Sequence, residues 1–225
     1  MSSQAELIFD AIANGDIDRV VSLLERSGSL ASVRAESDRL FANLPHWLYI
    51  GDTPLHLASA ALMPDIARVL LRSRAVATAT NRRGAAPLHY ACDARPRLGV
   101  WDPIAQTETI DVLVSAGAQV NLPDAGGATP LHRAVRARSV AAVERLLFHG
   151  ADVNAKSYRS GATPLHIAVV SSGASGTANS EQEQVQIIVA LLNHGAQPSA
   201  TDRRGRTVLA AARSRPIAQL LSSPR

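Results

Sequence analysis

Seven histidines and one cysteine are the side chains of this 225-residue sequence best suited to acid–base, nucleophilic or metal chemistry. His89 and Cys92 stand three residues apart, the spacing that puts a base and a nucleophile on one helical face. The tract SSGASGT (171–177) has the texture of a phosphate loop, but it lacks the GK[ST] ending, and the only lysine is Lys156. It reads instead as a flexible linker. A lone cysteine excludes an intramolecular disulfide and any cysteine-based zinc cluster, and no pair of carboxylates stands out. No metal or cofactor is expected. Two constellations remain. One is HWLY (46–49), which joins His46 to Trp47 and Tyr49. The other is Arg136 and Arg138 in VRARS, lying between two unusual segments, DARPRLGVWDPIAQ (93–106) and SSGASGTANSEQEQ (171–184). Together with Trp101 and Asp102 on one wall and Glu181 and Glu183 on the other, these arginines would form a shallow notch for an anion.

The elements that carry these residues follow from self-similarity. TPLHLA (53–58) returns as APLHYA (86–91), TPLHRA (129–134) and TPLHIA (163–168), then decays to TVLAAA (207–212). The second position of each falls at 54, 87, 130, 164 and 208, so a unit of 33 or 34 residues is twice lengthened to 43 or 44. A second phrase keeps step with it: SAGAQVN (115–121), FHGADVN (148–154) and NHGAQPS (193–199). Each residue type has a physical use. Thr53, Thr129 and Thr163 are placed to cap a helix, and Pro54, Pro87, Pro130 and Pro164 fill its first turn, where no N–H is needed. Leu55, Leu88, Leu131 and Leu165 point to a core, while Gly117, Gly150 and Gly195 terminate a second helix in a left-handed turn. Hydrophobic residues make up 46% of the chain and aromatics only 4%, so the core is aliphatic and favours close helix packing.

Period and phrase together resemble the ankyrin repeat, over nearly the whole chain. The resemblance implies an all-α repeat solenoid, each repeat a β-turn followed by two antiparallel helices. Six repeats are expected: a capping repeat 1 (1–33), an inserted connection (34–47), then repeats 2 (48–80), 3 (81–123), 4 (124–157) and 5 (158–201), and a capping repeat 6 (202–225). The polar Gln4, Glu6 and Asp10 suit the first cap, and Ala210 in place of the histidine suits the last. In this family the histidine of TPLH bridges neighbouring turns, so His56, His89, His132 and His166 are implied to be structural, and Cys92 a packed thiol. His149 and His194 precede helix-ending glycines, where a cation is favoured. Only His46 lies outside the repeat pattern. HWLY and the W-x-P of 101–103 are also similar to segments in a group of bacterial ankyrin proteins.

Insertions in repeat proteins map to loops and often to the binding face. The family presents its turn tips to partners, which here implies Tyr49, Ile50 and Asp52 in repeat 2; Arg82 and Arg83 in repeat 3; Arg159 in repeat 5; and Arg203, Arg204 and Arg206 in repeat 6. The tip of repeat 4 (Ala125, Gly126, Ala128) is neutral. The expectation is a non-catalytic protein-interaction module whose partner has acidic character, with His46, Trp47 and Tyr49 as the departure from the pattern. A net charge of +4 carried almost wholly by arginine agrees with that. One alternative is a small-ligand protein or enzyme using His46 as an acid–base group and the Arg136/Arg138 notch. Another is nucleic-acid binding through the RR pairs at 82–83 and 203–204, disfavoured because those tips lack interleaved aromatics. Acids in the first apolar segment argue against a signal peptide, and no run of eighteen apolar residues is present. A cytoplasmic monomer with no membrane contact is the expectation.

Overall fold

The computed structural model describes residues 3–42, 44, 46–93, 101–170, 181–212 and 214–222. Most of the inserted tracts at 93–106 and 171–184 thus lie outside the described residues at 94–100 and 171–180. The chain divides into two compact units, the first built from Met1–Ala94 and Asp102–Gln119, the second chiefly from Val120–Arg225.

In the first unit, the segment expected as repeat 1 supplies α1 (Ser3–Ala13) and α2 (Ile17–Arg26), followed by a 3-10 turn at Gly28–Ser32. Strands β1 (Arg39–Leu40) and β2 (Trp47–Leu48) come next, then α3 (Pro54–Ala60) and α4 (Pro64–Arg72) of repeat 2 and α5 (Pro87–Cys92) and α6 (Pro103–Ser115) of repeat 3. Helix α3 packs between α1 and α5, and α4 between α2 and α6, so the unit has two helical layers. The second unit repeats the scheme with α7 (Pro130–Ala137), α8 (Val140–Phe148), α9 (Pro164–Val169), α10 (Glu181–Asn193), α11 (Val208–Ala211) and α12 (Arg215–Ser222). There α9 contacts α7 and α11, and α8 contacts α10. The all-α repeat architecture expected from the sequence is what folds.

The core is aliphatic. Leu55, Leu88, Leu131 and Leu165 are buried, as are Ile8, Phe9 and Ile12, which replace the missing TPLH phrase in repeat 1. Cys92 is a buried free thiol. The histidine shares the capping of these helices with the threonine that precedes the proline. The backbone N–H of Thr53 donates to His56 Nδ1 at 3.1 Å, and the Thr53 hydroxyl lies 2.9 Å from the same nitrogen. Nδ1 is therefore the acceptor, which leaves the proton on Nε2, 3.0 Å from the Ala85 carbonyl of the next repeat. His132 reaches Ala162 O and His166 reaches Arg206 O in the same way, at 3.1 and 3.2 Å. Ala86 has no hydroxyl, yet its N–H still donates to His89 Nδ1 at 3.1 Å. The imidazole is the constant part of the cap.

Besides the glycine of each finger, left-handed backbone recurs between and after the helices. Between the helices these are Gly15, Leu62 and Arg138; after the second helix they are Arg74, Gly117, Gly150 and Gly195. Three of the seven carry a side chain, at a cost of about 1 kcal/mol each relative to glycine. At Gly127 a close approach adds to the demand: an added Cβ would meet the Tyr158 backbone nitrogen at 2.0 Å.

The inserted repeats have short first helices, and buried glutamines serve their ends. Gln106 Nε2 donates to Ala91 O at 2.8 Å, and Gln184 Nε2 donates to Ala168 O and Val170 O at 2.7 and 3.1 Å. The first insertion sits differently from the expected connection at 34–47. Ala35 N–H donates to Asp52 O and Gly51 N–H to Ala35 O, just as Asn81 N–H donates to Ala85 O and Gly84 N–H to Asn81 O in repeat 3. Residues 36–51 therefore occupy the place that 82–84 take, inside the turn of repeat 2 rather than ahead of it.

Candidate partner-binding surfaces

The enlarged finger of repeat 2 is a small hairpin. Arg39 pairs with Leu48 and Leu40 with Trp47 in antiparallel register. Alternation along two-residue strands sends Leu48 inward, 1% exposed, and leaves Leu40 and Trp47 outward at 52% and 47%. Ile50 is also exposed, so the hairpin presents three apolar side chains to solvent. Its base is anchored by charge. Arg39 reaches Asp10 of α1 at 2.7 Å, and Asp38 accepts from Ile50 N–H and from the Arg82 guanidinium, at 2.9 and 2.8 Å. Arg34 Nη1 donates to Gly51 O and Thr80 O, tying this finger to the next.

At the base of this finger, one backbone amide and two side chains converge on Asp52. This residue holds the position taken by Ala85, Ala128 and Ala162 in other repeats, and it is fully buried. Its carboxylate accepts from Tyr49 N–H at 2.7 Å, from Asn81 Nδ2 at 2.8 Å and from the Tyr90 hydroxyl at 2.9 Å. Asn81 Nδ2 also donates to the Tyr90 oxygen at 2.9 Å. Burial raises the Asp52 pKa above the usual carboxylate range, although all three donors and the charge of His46 act against the rise. The His46 ring lies 4.7 Å from the Tyr90 ring and edge-on to Tyr49 at 6.3 Å, and its Nδ1 is 2.7 Å from Trp47 O. Arg83 stacks its guanidinium 4.0 Å above Tyr49.

Several expectations are corrected by this geometry. Asp52 is not presented at a tip: with no exposed surface it organises the finger base instead. His46, expected as a separate acid–base group, is held between two tyrosines and a carbonyl. Arg82 and Arg83 are exposed but already engaged, by Asp38 and Tyr49 respectively. Tyr90 and Asn81 belong to the cluster and were missed. For Tyr90 the signal is the variable x of TPLHxA, which is polar only in repeats 3 and 4. In repeat 4 the same position is Arg133, 2.8 Å from Asp124 of its own finger. Burial pushes the Asp124 pKa up, but Arg133 and the amides of Ala128 and Gly126 outweigh it and the net shift is downward.

The second unit carries the basic tips. Arg159, Arg203 and Arg204 are exposed, and among the described residues their guanidinium groups form no ion pair or hydrogen bond. Backbone bonds set the fingers side by side: Arg159 N–H donates to Gly126 O at 3.1 Å and Arg203 N–H to Ser160 O at 2.8 Å. Arg206 differs, since Asp202 of its own finger accepts from Nε and Nη2 at 3.0 and 2.8 Å. Tyr158, overlooked at the sequence level, is 57% exposed beside Arg159. It supplies an aromatic to tips expected to have none.

The anion notch does not survive. Arg138 is 3% exposed, and its guanidinium donates to Ala168 O at 3.0 Å and Val170 O at 2.7 Å, closing the end of α9. Burial lowers its pKa, with Glu183 opposing. Arg136 remains exposed. Asp102 is occupied as the N-cap of α6, accepting from Ile104 N–H at 2.8 Å, and Trp101 is half-buried. Among the described residues no three histidine, cysteine or acidic side chains gather as a metal site, and no helix is long and apolar enough to cross a membrane.

A turn with a bridging imidazole, two antiparallel helices and exposed tips define a repeat protein of the interaction class. Residues 104–202 match the family model for ankyrin repeats in three copies, and residues 50–82 match the model for a single ankyrin repeat. The chain belongs to the ankyrin-repeat family. It is 31% identical over 169 residues to the B-cell lymphoma 3 protein homolog of Mus musculus, covering 75% of this chain and 34% of that protein. It is 30% identical over 182 residues to the nuclear factor NF-kappa-B p105 subunit of Gallus gallus, covering 79% of this chain and 16% of that protein. Rabankyrin-5 of Homo sapiens is 37% identical over 97 residues, covering 43% of this chain and 8% of its own length. The chain thus spans about a third or less of these relatives. Ankyrin repeats mediate protein–protein interaction.

Proposed function

We propose that the chain is a non-catalytic docking module for a protein segment of acidic character, acting as a cytoplasmic monomer. The observation that carries this reading is the row of Arg159, Arg203 and Arg204. Three guanidinium groups on adjacent fingers have no acid of their own among the described residues, whereas Arg82 and Arg206 do. A carboxylate-rich segment would satisfy that row bidentately, and Tyr158 beside it offers a flat apolar contact. The hairpin of repeat 2, with Trp47, Leu40 and Ile50 exposed, supplies the aromatic and aliphatic surface from which hot spots are usually built.

The test is affinity capture from the native organism with the wild-type chain and with Arg203→Glu/Arg204→Glu. Exposed ion pairs are individually worth about 0–1 kcal/mol, so reversing two charges should lower partner affinity roughly tenfold and flatten its salt dependence. The melting temperature should not change. Unchanged capture and salt response would overturn the acidic-partner reading.

A further inference from the structure

Away from the finger tips, the end of α4 and the 3-10 turn at Gly28–Ser32 enclose an open cleft of about 500 Å³, lined by Gly28, Ser29, Ser32, Arg72, Ser73 and Arg74. No carboxylate lines it. Arg72 and Arg74 are both exposed, and among the described residues neither guanidinium makes an ion pair or a hydrogen bond. Arg68, one turn earlier on the same helix, is by contrast held by Asp65 and Glu108.

Arg74 is the telling residue. Its N–H donates to Leu71 O and the next N–H, of Ala75, to Leu70 O. Gly117, Gly150 and Gly195 end their helices with the same pair of bonds, Gly117 to Val114 and Ala118 to Leu113 being one case. Arg74 therefore holds the helix-ending position at φ +68°, a conformation in which every other described repeat with this ending uses glycine. Strain retained in the backbone points to a use for the side chain. That use is not internal to the described residues, among which the guanidinium has no partner.

We propose that this cleft binds a phosphomonoester, with Arg72 and Arg74 gripping the phosphate oxygens and the serine hydroxyls donating to those that remain. Paired guanidinium forks match the geometry of a phosphate. The volume falls within the roughly 300–1,000 Å³ typical of small-molecule sites, leaving room for an organic body beyond the phosphate itself.

The experiment is an amide-resolved NMR titration of the full chain with inorganic phosphate, glucose 6-phosphate and a phosphoserine peptide, at matched ionic strength. Saturable shifts at Gly28, Ser29, Ser32, Ser73 and Arg74 are expected, and the tighter of the two esters identifies a free metabolite or a modified protein as the source. Arg72→Gln and Arg74→Gly should each lower affinity about tenfold, the loss of one bidentate contact. Arg74→Gly should raise the melting temperature, because it relieves the left-handed position; a purely structural arginine would not separate the two readouts. Absence of saturable shifts with all three probes, or wild-type affinity in Arg74→Gly, would overturn the site. Neither outcome bears on the finger-tip arginines, which lie on other residues.

Discussion

The Tyr90 hydroxyl donates to the carboxylate of Asp52 at 2.9 Å across 38 positions of sequence, joining the first helix of repeat 3 to the finger of repeat 2. Asp52 stands where repeats 3, 4 and 5 have alanine, so a consensus-minded substitution is instructive. Asp52→Ala would leave the Tyr49 N–H, Asn81 Nδ2 and Tyr90 hydroxyl facing a buried space without an acceptor. Such groups cost about 1–3 kcal/mol when orphaned, and we expect a loss of about 2 kcal/mol in chemical denaturation. A variant as stable as the parent would show that the cluster does not hold the finger.

The bridging histidines make stability depend on pH. Burial lowers the His56 pKa from its ordinary 6.5 to about 4; Arg34 and His46 add to the effect and the Ala85 carbonyl opposes it. Burial lowers His132 as well. The unfolded chain takes up the His56 proton near pH 6.5 while the folded chain resists until about pH 4, so stability is intact above 6.5 and falls as the pH drops through that window; His132 acts in the same direction. For His56 the loss approaches about 3 kcal/mol. Asp52, with its pKa raised, binds its proton more tightly when folded and works in the opposite direction. Thermal melts between pH 7.5 and 4.5 should show a plateau above about pH 6.5 and a decline below it, and a flat profile throughout would contradict the neutral-imidazole bridge.

Arg138 and Arg136 stand two residues apart and should behave differently. Arg138→Ala removes two donors to the α9 carbonyls and keeps a side chain at φ +61°, for an expected loss of about 2 kcal/mol. Arg136→Ala, at an exposed site, should stay within about 0.5 kcal/mol. Equal effects in a denaturant titration would return Arg138 to the surface role first expected of it.

Trp47 is half exposed and stands opposite Leu40 across the hairpin. We expect Trp47→Ala to change stability by no more than about 1 kcal/mol while weakening partner capture severalfold. A large drop in melting temperature with capture intact would make Trp47 part of the core.

The histidines show how far local pattern reaches. That His56, His132 and His166 bridge turns was legible through the resemblance to the ankyrin repeat, which the histidine carries together with its threonine, proline and leucine at a fixed period. Asp52 was misread on the same logic, since a tip position ordinarily faces water. Asp52 is buried and bonded to Asn81 and Tyr90 of the next repeat, and the hairpin that precedes it has two-residue strands, which leave almost no periodic trace.

The sequence by itself determined the repeat, its helix starts and stops, the aliphatic core and the glycine turns, all of which depend on residues within one unit of the chain. Tertiary structure alone decided where charge is free and where it is spent. Arg138 and Arg159 are indistinguishable in composition, yet one donates to carbonyls 30 and 32 positions away and the other faces solvent. A guanidinium's partner is set by which backbone ends lie within about 3 Å of it, and that distance exists only after the repeats have stacked.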